Sequence, residues 1–552
     1  MDKLIECVPN FSEGKDASII KSIADEIERI EGVKLLDVDP GKATNRTVIT
    51  FVGSPEAVVE AAFHAIKRAS ELIDMSKHKG EHPRMGATDV CPLIPLSGIT
   101  VEETVRYANQ LAARVGKELG IPVYLYEYAQ VNKERSNLSV IREGEYEGFS
   151  KKIKRPEWKP DYGPVELPVR SGATVIGVRD FLVAYNVNLN TTSVRRANAV
   201  AFDIRERGRV TKDEKGNDVH IPGALKSVKA IGWYIEEYGQ AQVSINLTNI
   251  NIAPVHTAFE EVCKSAQNRG MRVTGSELVG LIPLQSMLDA GKYFLKKQNR
   301  SIGISEEELI HIAVKSLGLD DLNEFHPDKK IIEYRMKKES DSALQNLTIK
   351  AFADMTASES AAPGGGSVSA YLGALGVALG TMVANLSATK KGWESRLDGF
   401  SIWAEKGQIV KDKLLKAVDE DTAAFNLIMA AFSLPKSTDT EKQTRKDAIN
   451  SATIAAIEVP YKVMQLSLES MQLIKAMAET GNPNSVSDAG VGALCARSAV
   501  IGAHLNVKIN ASGLANKNTV SELLENAEKI EKRALELESE ILETVNKVIQ
   551  RG

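Results

Sequence analysis

Residues 77–95 read KHKGEHPRMGATDVCPLIP. The stretch holds His78, His82 and Arg84 among two acids, two glycines and three prolines. It predicts no regular helix, because Pro83 lacks an amide hydrogen and Gly80 and Gly86 favour turns. It reads as a rigid polar loop running into a short apolar segment, Val90 to Leu96. Loops dense in ionisable groups carry much of protein chemistry, so His82 is the candidate centre of a first active site. Three readings of it stand side by side. Imidazole titrates near neutrality and suits general acid–base work. His78 and His82 are four apart, the spacing of a helical metal pair, but no cysteine or third histidine is near enough in sequence to complete a site. The third reading is a loop histidine satisfied within its own turn.

Strands and helices alternate on both sides of this loop. LIECVPNF (4–11) predicts a strand and 15–30 a helix, with Ile19, Ile20, Ile23, Ile27 and Ile30 spaced for one face. VKLLDVD (33–39) and RTVITFVG (46–53) predict strands, 55–74 and 101–119 helices, and PVYLYE (122–127) a strand. The order βαββαβ suggests a ferredoxin-like split sandwich. Residues 129–172 lack regular pattern and read equally as a functional loop or a solvated connector. A second β-α-β-β-α-β series follows: 181–190, 192–207, a hairpin over 230–249, a helix from His256 to Arg269, 272–283 and a last helix to about Lys297. Residues 298–346 are charged and read as an interdomain linker. Strand signals vanish from Leu347 onward. Helices are expected at 347–357, 367–388, 391–432, 440–478, 488–504 and 516–549, with Pro460 kinking or breaking the fourth. The expected fold class is therefore α/β (α+β), two ferredoxin-like subdomains (1–178 and 179–297), then the linker (298–346) and an all-α helical bundle (347–552).

At 552 residues the chain is too long for one core. A formal net charge of −4 gives no basic field to favour nucleic acid. Cys7, Cys91, Cys263 and Cys495 form no CxxC pair, which argues against a disulfide framework or structural zinc and for a reducing, cytoplasmic setting. The opening MDKLIECVPNFSEG lacks the apolar core of a signal peptide. Ala361 to Thr389 carries no charged residue and is long enough to span a bilayer. Its Gly and Ala content reads instead as a buried helix in a tightly packed bundle, so no membrane span is expected.

The helical half has its own anomaly. Leu414, Val418, Phe425, Ile428 and Phe432 recur at helical spacing, and Asp421 falls in the same series. A carboxylate in a core slot is costly unless it is paired or functional. Asp419 lies on the neighbouring flank with Leu415, Thr422 and Asn426. A buried structural Asp bonded to a helix end is the other account of Asp421, and Asp419 reads as a position open to solvent. Gly364, Gly365, Gly366 and Ser367 open a helix whose amides face an anion or simply allow a close helix contact; no P-loop lysine follows. Asp488 reads as an N-cap, and His504 as packing.

The chain also resembles a known family. HKGEHPRMGATDVCPLIP, ECVPNFSEG (6–14), DVDPGKATNRTVITFVG (37–53), GATVIGVRDFLVAYNVNLN (172–190) and GSELVGLIPLQSML (275–288) are similar to segments of glutamate formimidoyltransferases. SAAPGGGSVSAYLGALG (360–376), AVDEDTAAFNLIMAAFSLPK (417–436) and GNPNSVSDAGVGA (481–493) resemble formimidoyltetrahydrofolate cyclodeaminases. The fused order is that of the bifunctional formimidoyltransferase-cyclodeaminases of histidine degradation. The resemblance implies transfer of a formimino group from N-formimino-L-glutamate to N5 of tetrahydrofolate, then cyclisation to 5,10-methenyltetrahydrofolate with loss of ammonia. It implies His82 as transferase acid–base. Asp39 is its orienting partner or a turn-forming Asp before Pro40. Arg84 and Lys42 are carboxylate binders or surface charges. The folate is implied along Gly163, Pro164, Val165, Glu166, Leu167, Pro168, Val169, Arg170, Ser171 and Gly172, with Lys151, Lys152, Lys154 and Arg155 before it facing a polyglutamate tail or solvent. Asp421 is implied as cyclodeaminase acid–base with Asp419 as second choice, and Gly364, Gly365, Gly366, Ser367 and Asp488 as pocket residues. Tetrahydrofolate is then co-substrate, with no metal or redox cofactor, and the chain a homo-oligomer. An active transferase joined to a non-catalytic helical scaffold is the alternative.

Overall fold

The computed structural model describes residues 3–41, 45–79, 83–236, 238–336, 344–360, 362–514 and 520–551. His82, Lys42, Gly80 and Glu81 lie outside the described residues. The chain divides into two compact units, Met1–Ser286 with Leu317–Met336, and Met287–Ser316 with Lys337–Gly552.

The first unit opens with β1 (Leu4–Cys7), β2 (Asn10–Phe11), α1 (Ala17–Glu28), β3 (Val33–Gly41), β4 (Arg46–Gly53), α2 (Pro55–Leu72), β5 (Thr88–Ser97), α3 (Val101–Glu118) and β6 (Val123–Glu127). Two short helices, α4 (Leu138–Arg142) and α5 (Glu145–Lys152), precede β7 (Thr174–Val178). β3, β4, β1/β2 and β5 pair antiparallel in that order; β7 then joins β5 in parallel and β6 joins β7. The apolar run after the His82 loop is thus a central strand, β5, and PVYLYE lies at the sheet's far end. GATVIGV supplies a strand that its glycines disguise. Ile23 and Ile27 of α1, Val58 and Ile66 of α2, and Leu111 and Val115 of α3 bury against Ile5, Phe51 and Leu93 on one face. Each such side chain contributes about 1.5–3 kcal/mol. A Thr100–Glu103 capping box starts α3. Cys7 and Cys91, 84 residues apart, meet across β1 and β5 with sulfurs 3.5 Å apart and unbonded.

Residues 129–172 pack on the opposite face. Phe149 and Ile141 close over Tyr124 and Val175, and the Tyr124 hydroxyl donates to Trp158 O at 2.6 Å. Lys152, read as part of a basic run, is buried and donates to the carbonyls of Val140, Ile141 and Glu143.

Next come β8 (Val183–Leu189), α6 (Val194–Ile204), β9 (Arg209–Lys212), β10 (Asp218–Ile221), β11 (Val228–Ile235), β12 (Gln240–Leu247), α7 (Val255–Asn268) and β13 (Val273–Val279); β9 and β10 form a separate hairpin, and the other four strands form one antiparallel sheet. Its order is β11-β12-β8-β13. Beyond it come α8 (Leu284–Lys297), α9 (Glu306–Leu317), α10 (Pro327–Lys330) and α11 (Ile332–Met336). The stretch 298–346, expected as linker, is shared between the units. Ile302 N donates to Ser401 Oγ at 2.9 Å, and Gly303 O accepts from Asn385 and Gln408 in the helical unit. Leu317 and Gly318 instead accept from Ser276 of β13.

The helical unit continues with α12 (Ile349–Thr356), α13 (Gly365–Ala388), α14 (Leu397–Ser433), α15 (Asp439–Thr480), α16 (Val486–Ser512) and α17 (Ser521–Arg551). α13 and the stretch Pro483–Ser512 are apolar and long enough to cross a membrane; here α13 is mostly buried and Pro483–Ser512 half buried. Their small residues allow backbone contact: a Cβ on Gly376 would lie 2.8 Å from Gly492 O. α15 runs unbroken through Pro460, contrary to an expected break, for a reason given below.

Candidate functional sites

The α/β unit encloses a cleft of about 690 Å³ lined by Arg46, Arg142, Arg179, Lys229, Glu127 and Asp180, with Tyr126, Tyr128 and Asn249 among its other walls. The side chains come from β4, α4, β11 and the segment after β7, so no local motif announces them. Buried Asp89 fixes Arg142 through a close ion pair and accepts Met85 N at 3.0 Å. Asp180 is engaged by Tyr128 and Asn249, each at 2.7 Å. Burial and the neighbouring Arg142 push the Arg46 pKa down, against the pull of Asp89 and Asp39. Asp39 is exposed on β3, pairs with Val48, and so stands as an electrostatic neighbour of this cleft. Cations outnumber carboxylates on the wall, which suits a ligand carrying carboxylates.

The chain on either side of His82 is tightly held. His78 Nε2 donates to Asn45 O at 3.0 Å, and His78 Nδ1 accepts from Arg84 Nε at 3.2 Å. Asn45 Nδ2 donates to Lys79 O at 2.9 Å. Both His78 nitrogens are committed, so His78 is a structural loop histidine with no lone pair left for a metal. Arg84 is buried and grips Glu145 at 2.7 Å and Glu147 at 2.6 Å. Its burial works against the charge, but Glu147 and Glu145 more than offset that and hold its pKa above the ordinary guanidinium range. Its charge is spent on the protein, which corrects its reading as a substrate-carboxylate binder.

Residues 163–172 abut this loop and do not line the cleft described above. Ala87 N donates to Ser171 O at 2.8 Å and Met75 N to Arg170 O at 2.9 Å. Gly172, at φ +66°, has Met85 O where a Cβ would sit, 2.3 Å away; no other residue fits there. Pro168 O accepts Gly172 N at 2.8 Å, while Val165 and Val169 are exposed. Arg170 is exposed and donates to Glu71 O at the end of α2, at 3.3 Å.

In the helical unit, a pocket of about 150 Å³ is lined by Gly364, Gly365, Gly366, Asp421, Asn506 and Asn510, with Thr422, Phe425 and Ala456 beside them. The Ser367 hydroxyl donates to Asp421 Oδ2 at 2.8 Å. Burial pushes the Asp421 carboxyl above its usual range, while the Ser367 hydroxyl and amide pull it back. A partly desolvated carboxyl at a helix N-terminus is suited to take and return a proton. Asp419 is elsewhere: it accepts Leu344 N at 2.9 Å, ahead of α12, its other oxygen buried without a partner among the described residues. Asp488 lies in the first turn of α16, eighteen residues or about 27 Å along the axis from Asn506. It therefore stands apart from this pocket, and Ser485 holds the N-cap position. His504 is buried and bonds Glu531 closely. Phe432, placed on the apolar face by its spacing, is half exposed.

Three family descriptions match in succession: the formiminotransferase domain, N-terminal subdomain, over 4–179, the formiminotransferase domain over 184–337, and formiminotransferase-cyclodeaminase over 348–529. The chain is 45% identical to the formimidoyltransferase-cyclodeaminase of Gallus gallus over 525 residues, covering 95% of each. Its first half is 41% identical to the glutamate formimidoyltransferase of Streptococcus pyogenes, over 54% of this chain and 95% of that one. Its helical half is 38% identical to the methenyltetrahydrofolate cyclohydrolase of Methylorubrum extorquens, over 36% of this chain and 96% of that one. The chain belongs to the formimidoyltransferase-cyclodeaminase family.

Proposed function

We propose that two separate sites in this chain divide the two activities of its family. In the α/β unit, N5 of tetrahydrofolate attacks the amidine carbon of N-formimino-L-glutamate, and glutamate leaves as the amine. His82 accepts the N5 proton and returns one to the departing nitrogen. Asp39 supports the charge that develops on it. The cationic cleft supports binding of a glutamate or folate carboxylate, and residues Gly163 to Gly172, hydrogen-bonded to the His82 loop's flanks, suit the folate's approach. In the helical unit, Asp421 serves the cyclisation of 5-formiminotetrahydrofolate to 5,10-methenyltetrahydrofolate and ammonia. The observation that carries this second assignment is the Asp421 carboxyl, desolvated inside a pocket yet held by Ser367. The relative named for a methenyltetrahydrofolate reaction supports an active helical half over a bare scaffold.

The transferred carbon keeps its oxidation level throughout, so tetrahydrofolate as co-substrate suffices and neither a redox group nor a metal is required. We read both halves of the α/β unit as ferredoxin-like, which the antiparallel orders β3-β4-β1-β5 and β11-β12-β8-β13 support. A cytoplasmic homo-oligomer is the companion proposal; exposed Leu505, Ile509, Leu427 and Met429 on the helical unit suit cover by a second copy. The test of function is paired substitution. His82→Ala is expected to abolish transfer and spare cyclisation of supplied 5-formiminotetrahydrofolate, and Asp421→Asn to do the reverse. Loss of both activities in both folded variants would refute separate sites.

A further inference from the structure

Pro460 is buried in the middle of α15. It has no amide hydrogen, so the Ala456 carbonyl four residues earlier loses its helical donor. Asn510 of α16 fills that vacancy, its Nδ2 donating to Ala456 O at 2.7 Å. This explains why the helix survives its proline. It also fixes the Asn510 amide: a carbonyl oxygen only accepts, so nitrogen faces Ala456 and Oδ1 faces the other way. Asn506, one turn earlier, is fixed similarly, with Nδ2 donating to Gly502 O at 2.9 Å. Ala456, Asn506 and Asn510 all line the Asp421 pocket. Among the described residues, no donor reaches either Oδ1, and the Ser367 hydroxyl is already spent on Asp421. The pocket therefore offers a carboxylate and two oriented amide oxygens as acceptors, beside the Thr422 hydroxyl and the opening turn of α13.

We propose that Asn506 and Asn510 determine specificity at the helical site by accepting N–H bonds from the formimino nitrogen, and that Pro460 is a positioning residue acting on Asn510 through the Ala456 carbonyl. The inference rests on the Asp421 pocket being the cyclodeaminase site. The substrate enters as its amidinium, N5–CH=NH₂⁺. N10 attacks the formimino carbon, a C–N10 bond forms, and the C=N electron pair moves to the terminal nitrogen. Asp421 takes the N10 proton and passes it to that nitrogen. The C–N bond breaks, ammonia departs, and the N5 lone pair completes the methenyl cation. One positive charge enters and one remains, with no other reactant. A 5-formyl folate places a carbonyl oxygen where the N–H groups belong. It meets two acceptors with no hydrogen to share, so the same oxygens that hold the amidine reject the amide.

The experiment uses the full chain. Asn506→Leu, Asn510→Leu and Pro460→Ala are assayed for cyclisation of 5-formiminotetrahydrofolate and for inhibition by 5-formyltetrahydrofolate, with transferase activity and thermal unfolding reporting the fold. The leucine variants are expected to lose about 10–100-fold in kcat/KM while 5-formyltetrahydrofolate inhibits them more tightly than the parent. Pro460→Ala restores a helical donor to Ala456 and shifts the same ratio in the same direction by less. An unchanged ratio in folded leucine variants, or parallel loss of substrate and inhibitor binding, overturns the proposal. Asp421→Asn separates the two levels: retained cyclisation in that variant refutes the site itself, whereas its loss beside an unchanged ratio refutes only the roles of Asn506, Asn510 and Pro460.

Discussion

The Ser367 hydroxyl meets Asp421 Oδ2 at 2.8 Å because Gly366, the residue before it, has no side chain. A Cβ on Gly366 would lie 2.1 Å from Asp421 Oδ1. Gly366→Ala should displace the carboxylate and lower cyclisation by more than about 100-fold, at a stability cost of about 1–3 kcal/mol. Transfer by the α/β unit should persist. Activity assays with thermal unfolding check this, and wild-type cyclisation in Gly366→Ala would contradict it.

The Asp421 pKa is raised in the fold by burial. The native state therefore holds its proton more tightly than the unfolded chain, and stability is lost as pH rises above the ordinary Asp value of 3.8. Asp421→Asn should accordingly be the more stable protein at neutral pH, with the advantage shrinking toward pH 4. Denaturant unfolding at several pH values measures it. A neutral-pH loss of stability would show that Asp421 is a structural anchor.

Glu6 behaves the same way in the other unit. Burial raises its pKa to about 7 against the opposing field of Arg179. Stability is lost as pH climbs from the ordinary Glu value toward and through that figure. Glu6→Gln should gain up to about 3 kcal/mol relative to the parent between pH 4 and pH 8. Unfolding curves whose difference stays flat with pH would contradict this.

Arg84 ties α5 to the chain beside His82. Replacing both partners, Glu145→Gln with Glu147→Gln, leaves a buried guanidinium with weakened company. About 3 kcal/mol of destabilisation is expected from a stranded buried charge, reduced because both glutamates are themselves partly exposed. Transfer should fall at least about tenfold while cyclisation of supplied 5-formiminotetrahydrofolate is unaffected. Equal losses in both assays would mean that the pair serves the whole fold and not the loop.

Periodicity made much of this architecture readable. Asp421 stood out because a carboxylate occupied an apolar slot, and the small residues of α13 announced close helix packing. β5 was obscured by two prolines, Pro92 and Pro95, and by the loop before it; sheet pairing with β1 and β7 outweighs those local signals. The cleft arginines were invisible because Arg46, Arg142 and Arg179 come from separate elements that only the fold assembles. Pro460 spoke for a break because its compensation, Asn510, comes from another helix. Asp488 resembled a pocket residue by motif, yet helix length alone carries it away from Asn506.

The central claim is two independent sites, and one assay addresses it most directly. Protein is mixed with N-formimino-L-glutamate and tetrahydrofolate, and the near-ultraviolet absorbance of methenyltetrahydrofolate is followed directly and after acid quench. The parent should give signal without acid, Asp421→Asn signal only after acid, and His82→Ala none by either route until 5-formiminotetrahydrofolate is supplied. Direct signal from Asp421→Asn, or undiminished signal from His82→Ala, would contradict the account.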